Sequence, residues 1–183
     1  MPASITWRWS VRNILCWSGT TRSLFKFVNS GTNDPEASTV VGDSNVGLNI
    51  LPRRDSYVGG IDHFGMVVDS LSEVGERMKK VNSKARMVKR PSYHPFTSYS
   101  GHYSDGNVFD LAEETSANLD DVYAERDGEA RGIYFNRFAI RTVNAEETAE
   151  FYASVFGLNL TNRREGDPNY HLTDGRVTLS IMP

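Results

Sequence analysis

Ile61-Asp62-His63-Phe64-Gly65-Met66-Val67-Val68 alternates with the period of two that marks a half-buried strand. Phe64, Met66 and Val68 fall on one face, and His63, Gly65 and Val67 on the other. Its distant counterpart is Asp105-Gly106-Asn107-Val108-Phe109-Asp110-Leu111, which opens on a turn signal and runs straight into a second strand. Phe109 and Leu111 share a face there, leaving Asp110 on the opposite one. Each strand therefore offers one nitrogen or oxygen donor from the side that packing does not need. An imidazole and a carboxylate placed in this way are half of a metal site.

Between these strands the pattern predicts a helix and further strands. Ser70 with Glu73 three residues on is a capping box, and Leu71, Val74, Met78 and Val81 recur at helical spacing. Residues 85–88 and 98–103 read as strands, joined by the Pro- and aromatic-rich loop that holds His94. Upstream, residues 39–41 and 46–51 are short strands. The turns between residues 33 and 35 and at 43–44 punctuate them, and Pro52 ends the second. Downstream of the Asp110 strand, residues 112–132 are strongly acidic and poor in apolar groups, which predicts a solvated linker or surface helix. Residues 134–142 are again a strand. Asn144 with Glu147 caps a helix whose buried side is Phe151, Tyr152, Val155 and Phe156, and Gly157 ends it. Three strands follow, over residues 158–162, 170–173 and 177–182.

The chain also repeats itself. Asp43-Ser44-Asn45-Val46-Gly47-Leu48-Asn49-Ile50-Leu51-Pro52 matches Asp174-Gly175-Arg176-Val177-Thr178-Leu179-Ser180-Ile181-Met182-Pro183 at a constant offset of about 131 residues. His102-Tyr103-Ser104-Asp105-Gly106 resembles His171-Leu172-Thr173-Asp174-Gly175, and residues 61–66 resemble residues 135–140. The unit is strand, helix, three strands. A helix covers one sheet face of each copy, so the other face must be shared with a second copy.

This order, the opening Ile61-Asp62-His63-Phe64, the closing Asp105 to Leu111 segment, and the helix Ala149-Glu150-Phe151-Tyr152 running to Gly157-Leu158 resemble the vicinal oxygen chelate superfamily. That superfamily includes glyoxalases, extradiol dioxygenases and bleomycin-resistance proteins. The resemblance covers roughly residues 25–115 and 133–183. It implies an α+β fold in which repeated βαβββ modules pair into an open, cup-shaped mixed β-barrel with helices outside. A divalent metal would sit in the cup on one ligand from the first and one from the last strand of each module. Carried over, His63 takes a first-strand place and Asp110 a last-strand place, one methylene shorter than the family's usual Glu. Asn49 takes the last-strand place of the first module as a weaker carbonyl donor to a hard ion, with Ser4 as its first-strand counterpart. The third module has Arg137 and Ser180 at these places, and a guanidinium repels a dication. His94, Tyr99 and His102 are expected to line the cup and meet substrate.

The expected organisation is a glyoxalase-like domain over residues 1–115, made of half-modules 1–52 and 58–115, then an acidic linker over 116–132. The opening half of a second such domain follows at 133–183. That odd half predicts either a piece of a longer two-domain protein or a homodimer through the unpaired module. Two functions are open. One is a metalloenzyme of the glyoxalase lyase or isomerase kind, or a ring-cleaving dioxygenase, using Fe, Mn, Ni, Zn or Mg. The other is a metal-free protein that sequesters a small molecule.

Bulk composition sets the remaining bounds. A formal net charge of -3 offers no basic face for nucleic acid. No apolar run approaches the roughly 20 residues of a membrane span. The single cysteine, Cys16, excludes an intrachain disulfide and reads as a reduced thiol in a cytoplasmic protein. Residues 1–33 carry Arg8, Arg12, Arg22 and Lys26, no acidic residue, and the tryptophans Trp7, Trp9 and Trp17. They fit either an organelle transit segment or a short strand over residues 5–9 followed by irregular chain.

Overall fold

The computed structural model describes residues 5–11, 20, 23–24, 28–29, 39–42, 46–53, 55–56, 59–82, 85–92, 97–103, 106–115 and 134–183. Ser4, Cys16, His94, the turns near residues 33–35 and 43–44, and the acidic stretch 116–132 lie outside them.

Residues 5–113 contribute eight strands: β1 (Ile5–Val11), β2 (Val28–Asn29), β3 (Thr39–Gly42), β4 (Val46–Pro52), β5 (Gly60–Val68), β6 (Met87–Lys89), β7 (Tyr99–His102) and β8 (Val108–Glu113). They form one sheet in the order β2-β3-β4-β1-β5-β8-β7-β6. β1 runs parallel to β4, and β5 parallel to β8. β1 and β5 meet antiparallel at the centre, so two halves of the same internal order join through their first strands. A four-stranded sheet repeats that order with β9 (Arg137–Arg141), β10 (Asn159–Leu160), β11 (Tyr170–Thr173) and β12 (Thr178–Met182), arranged β10-β11-β12-β9 with β12 parallel to β9. Parallel neighbours require a crossover, and a helix forms part of it between β5 and β8 and between β9 and β12. Among the described residues the fold is therefore α+β with two mixed sheets, and neither sheet closes into a barrel. The expected strand over residues 5–9 extends to Val11 and lies in the middle of the large sheet.

Helix α1 (Leu71–Val81) follows β5, and α2 (Ala145–Phe156) follows β9. Ser70 Oγ accepts the Glu73 amide at 3.3 Å, and Asn144 Oδ1 accepts that of Glu147 at 3.3 Å. The Glu147 carboxylate answers by accepting from Asn144 Nδ2 at 2.8 Å. Gly157, at φ +69°, stops α2 in the left-handed region that a side chain disfavours. Replacing Asn144 by alanine should lower the unfolding free energy by about 1 kcal/mol, read from denaturant titration. A loss under about 0.3 kcal/mol would show the cap to be redundant.

Helix α2 lies between the sheets, and α1 packs beside it on the large sheet. Phe64 and Phe109 from the large sheet meet Phe151, Tyr152 and Phe156 of α2, and Phe138 of β9 reaches Phe64 with 5.5 Å between ring centroids. Tyr103 stacks on Phe151 at 4.1 Å and donates to Glu147 Oε1 at 2.5 Å. A fully buried side chain of this size contributes about 1.5–3 kcal/mol. The opposite face of each sheet thus points away from the shared core. One boundary differs from the sequence reading. Ala112 is buried and Glu113 belongs to β8, where its Oε1 accepts the Leu71 amide at the start of α1, at 2.8 Å. A carboxylate at a helix N-terminus is favoured by the exposed amides and the dipole there. Among the described residues no helix is long and apolar enough to cross a membrane.

Candidate functional site

On the outer face of the large sheet, β5 and β8 bring His63 and Asp110 together: His63 Nε2 lies 3.0 Å from Asp110 Oδ2. The packing that secures this is on the other face, where Phe64, Met66, Phe109 and Leu111 are buried against the helices. Two further side chains hold the pair. Ser100 of β7 stands opposite Asp110 and donates to its Oδ1 at 2.5 Å. Asp62 Oδ2 lies 2.7 Å from His63 Nδ1. Strict alternation would put Asp62 on the opposite face from His63. The ladder between β1 and β5 slips at this point, pairing Arg8 with His63 and Trp9 with Ile61, so Asp62 is the extra residue of a bulge. A bulge turns consecutive side chains toward a common side, and a strand pattern in the sequence carries no sign of it.

Asn49 of β4 is 1% exposed, and its Oδ1 accepts no hydrogen bond. Arg8 of β1 stands opposite Asn49 on one side and opposite His63 on the other, which places Asn49 on the same sheet face as His63. Asn49, Asp110 (8% exposed) and Ser180 (3% exposed) hold the same place in three modules: a buried polar residue on the fourth strand between two buried apolar ones. Their first-strand partners are Arg8, Gly65 and Ala139. The residue two earlier is Thr6, His63 or Arg137. The register thus replaces Ser4 by Thr6 as the first module's counterpart of His63.

Of the other predicted residues, His102 is exposed on β7, two residues beyond Ser100 and on the same face, with its Nδ1 3.3 Å from the Tyr103 carbonyl. Tyr99 lies on the sheet face opposite to that of His63 and Asp110. It stands opposite buried Leu111 and lines a hollow of about 410 Å³ beside Leu71, Gly75, Met78 and Met87. Parity decides this: Ser100, not Tyr99, faces Asp110. His94 is outside the described residues.

Sequence reading passed over His171. It stands opposite Ser180 on the outer face of the small sheet, with Nδ1 2.9 Å from Ser180 Oγ and Nε2 3.1 Å from Asp167 Oδ2. Asp167 Oδ1 also accepts from Asn169 N and Nδ2 at 2.9 and 2.8 Å. The Asn169 amide first, then His171, hold the Asp167 carboxyl below the ordinary carboxylate range, against a weaker opposing effect of desolvation. A carboxyl whose folded pKa is depressed stabilises the fold above its unfolded value, and that contribution disappears as pH falls through the folded value. His171→Ala should therefore move the Asp167 titration midpoint upward, read by carbon-detected NMR; an unmoved midpoint would remove His171 from the account.

Among the described residues no three His, Cys, Asp or Glu side chains converge as a metal-binding group. The donor set on the large sheet is one imidazole, one carboxylate and one buried amide oxygen. Two donors about 2.1 Å from one ion and at right angles to each other stand about 3 Å apart, which is the separation of His63 Nε2 and Asp110 Oδ2. A carboxylate on the second ring nitrogen and a hydroxyl on the carboxylate are the outer contacts that such ligands use to hold orientation. The spacing of His63 and Asp110 fits two neighbouring ligand places of a divalent ion.

No protein-family model and no curated protein sequence matches the chain. Solved structures do. The 2,3-dioxygenase LapB from Pseudomonas sp. KL28 superposes with a TM-score of 0.69 at 14% identity over 97% of this chain and 68% of its own. The 2,2',3-trihydroxybiphenyl 1,2-dioxygenase from Sphingomonas wittichii strain RW1 gives 0.69 at 16% identity, over 99% of this chain and 68% of its own. A mutant 4-hydroxymandelate synthase from Streptomyces coelicolor gives 0.66 at 16% identity, over 98% of this chain and 62% of its own. These proteins belong to the vicinal oxygen chelate superfamily. Identities this low establish the fold, and the chain spans about two-thirds of the length of these structures.

Proposed function

We propose that the outer face of the large sheet is a cup for a small oxygenated molecule, in which His63, Asp110 and Asn49 hold a divalent ion. The reading rests on a fold shared with dioxygenases and on one observation above the rest: His63 Nε2 and Asp110 Oδ2 stand 3.0 Å apart on the face turned away from the aromatic core. A bound ion would supply Lewis acidity to two neighbouring oxygens of the substrate. The chain's own part is orientation. Asp62 fixes the imidazole through Nδ1, Ser100 fixes the carboxylate through Oδ1, and Asn49 offers the buried carbonyl. With three protein donors, positions stay open for a chelating substrate. His102, exposed on the same face, is the proposed contact at the rim, and residues 5–113 form the module pair that carries the site.

The second reading is a metal-free binding protein, and one feature favours it: His63 and Asp110 already satisfy each other at hydrogen-bond distance. Elemental analysis of protein purified without chelators separates the two. Near-stoichiometric Fe, Mn, Ni, Zn or Mg, with oxygen uptake on catechols or turnover of vicinal diketone–thiol adducts, supports the metalloenzyme. Ligand binding unchanged by exhaustive metal removal supports the binder.

A further inference from the structure

Another hollow, of about 330 Å³, opens where β5 ends, α1 begins, α2 ends and the turn between β11 and β12 comes in. Helix α1 belongs to one module and the β11–β12 turn to the next, so two modules build its wall. Its volume is at the small end of the range for ligand pockets, enough for one small molecule.

Arg77 of α1 and Asp174 of the turn both line this hollow. Arg77 Nε and Asp174 Oδ2 are shut off from bulk solvent, and neither has a hydrogen-bond partner. An orphaned polar atom of this kind is costly, more so on a charged group, and each one calls for a physical reason. Asp174 is held in place from its other oxygen, since Oδ1 accepts the Arg176 and Val177 amides at 2.8 Å each. As whole residues Arg77 and Asp174 are only half-buried, so a small rotation turns either orphaned atom toward a ligand.

The two orphans ask for opposite things. A guanidinium N–H wants an anionic oxygen, and a carboxylate oxygen wants an N–H donor. Glu73, one turn before Arg77, adds a further carboxylate to the wall, which disfavours a simple anion. Helix α2 ends here without a basic residue in its last turn, so its carbonyls favour a positive group. An amine alone would leave Arg77 unanswered. Met66, Phe156 and Leu158 supply an apolar side to the same hollow. We propose that it binds a free amino acid with a hydrocarbon side chain, its carboxylate on Arg77, its ammonium on Asp174, and its side chain against Met66, Phe156 and Leu158.

Isothermal titration calorimetry of the full chain with L-leucine, L-methionine and L-phenylalanine tests this. At least one should bind with a dissociation constant at or below about 1 mM. The matched acid and the matched amine, each lacking one of the two charged groups, should bind at least about tenfold more weakly. Arg77→Gln and Asp174→Asn should each weaken the amino acid about 10–100-fold. Asp174→Asn keeps the side-chain oxygen that the turn uses, and circular dichroism checks that both variants fold. Amide shift mapping on the unsubstituted chain stands even if a variant unfolds: the ligand should move residues 68–70, 157–159 and 174. No binding by any of the three at about 10 mM, equal binding of the acid or the amine, or shifts confined to other residues overturns the proposal.

Discussion

His63→Ala protein, purified beside the parent without chelators, is expected to retain less than about a tenth of the parent's bound divalent ion, and its titrated metal affinity should fall at least about a hundredfold. The reasoning is geometric. Removing the imidazole leaves one carboxylate and one buried amide, and neither can chelate an ion without the third donor. Asp110→Asn should act in the same direction, because a neutral amide replaces the only anionic donor of the set. Ser100→Ala should be milder, about 10–100-fold, since it loosens the carboxylate without deleting it. The ordering of these three effects is the informative part. If all three variants hold metal as the parent does, any ion in the protein resides elsewhere, and the large sheet's outer face returns to a plain binding surface.

Phe109→Ala is expected to cost about 3–5 kcal/mol of unfolding free energy, the largest effect of any single truncation here. Its ring is fully buried and contacts Phe64, Phe151, Tyr152 and Phe156 with centroids 6.4, 6.2, 6.2 and 5.3 Å away. Gly101 closes the remaining side: a methyl group there would lie 2.8 Å from the ring. The ring is thus held by β7, by its own sheet and by α2 of the following module. Denaturant titration followed separately by near-ultraviolet circular dichroism and intrinsic fluorescence should show one transition displaced to lower denaturant. A loss below about 1 kcal/mol would mean that the aromatic cluster collapses around the cavity and does not depend on this ring. Phe109 also precedes Asp110, so the same substitution should loosen the carboxylate and weaken metal binding without touching a ligand.

The amino-acid sequence by itself determined the elements and their faces. Phe64 and Met66 alternate with His63 and Gly65 because a strand has a period of two, and the structure buries the first pair and leaves the second on the outer face. Ser70 and Asn144 mark helix starts because their side chains accept the amides that the first turn leaves unpaired. The match between residues 43–52 and 174–183 was legible because both are fourth strands whose central polar residue lies between buried neighbours. Tertiary structure alone decided the rest. The bulge that swings Asp62 onto His63 exists only because β1 slips against β5, and the local alternation is blind to that slip. Whether Tyr99 or Ser100 meets Asp110 depends on the β7–β8 register, which a single displaced residue would invert. Glu113 left the acidic stretch for a helix N-terminus 42 residues away in the chain, and His171 joined Asp167 and Ser180 across a hairpin. Periodicity fixes which way a side chain points. Which partner it meets there is a property of strand register, and register is set by long-range pairing.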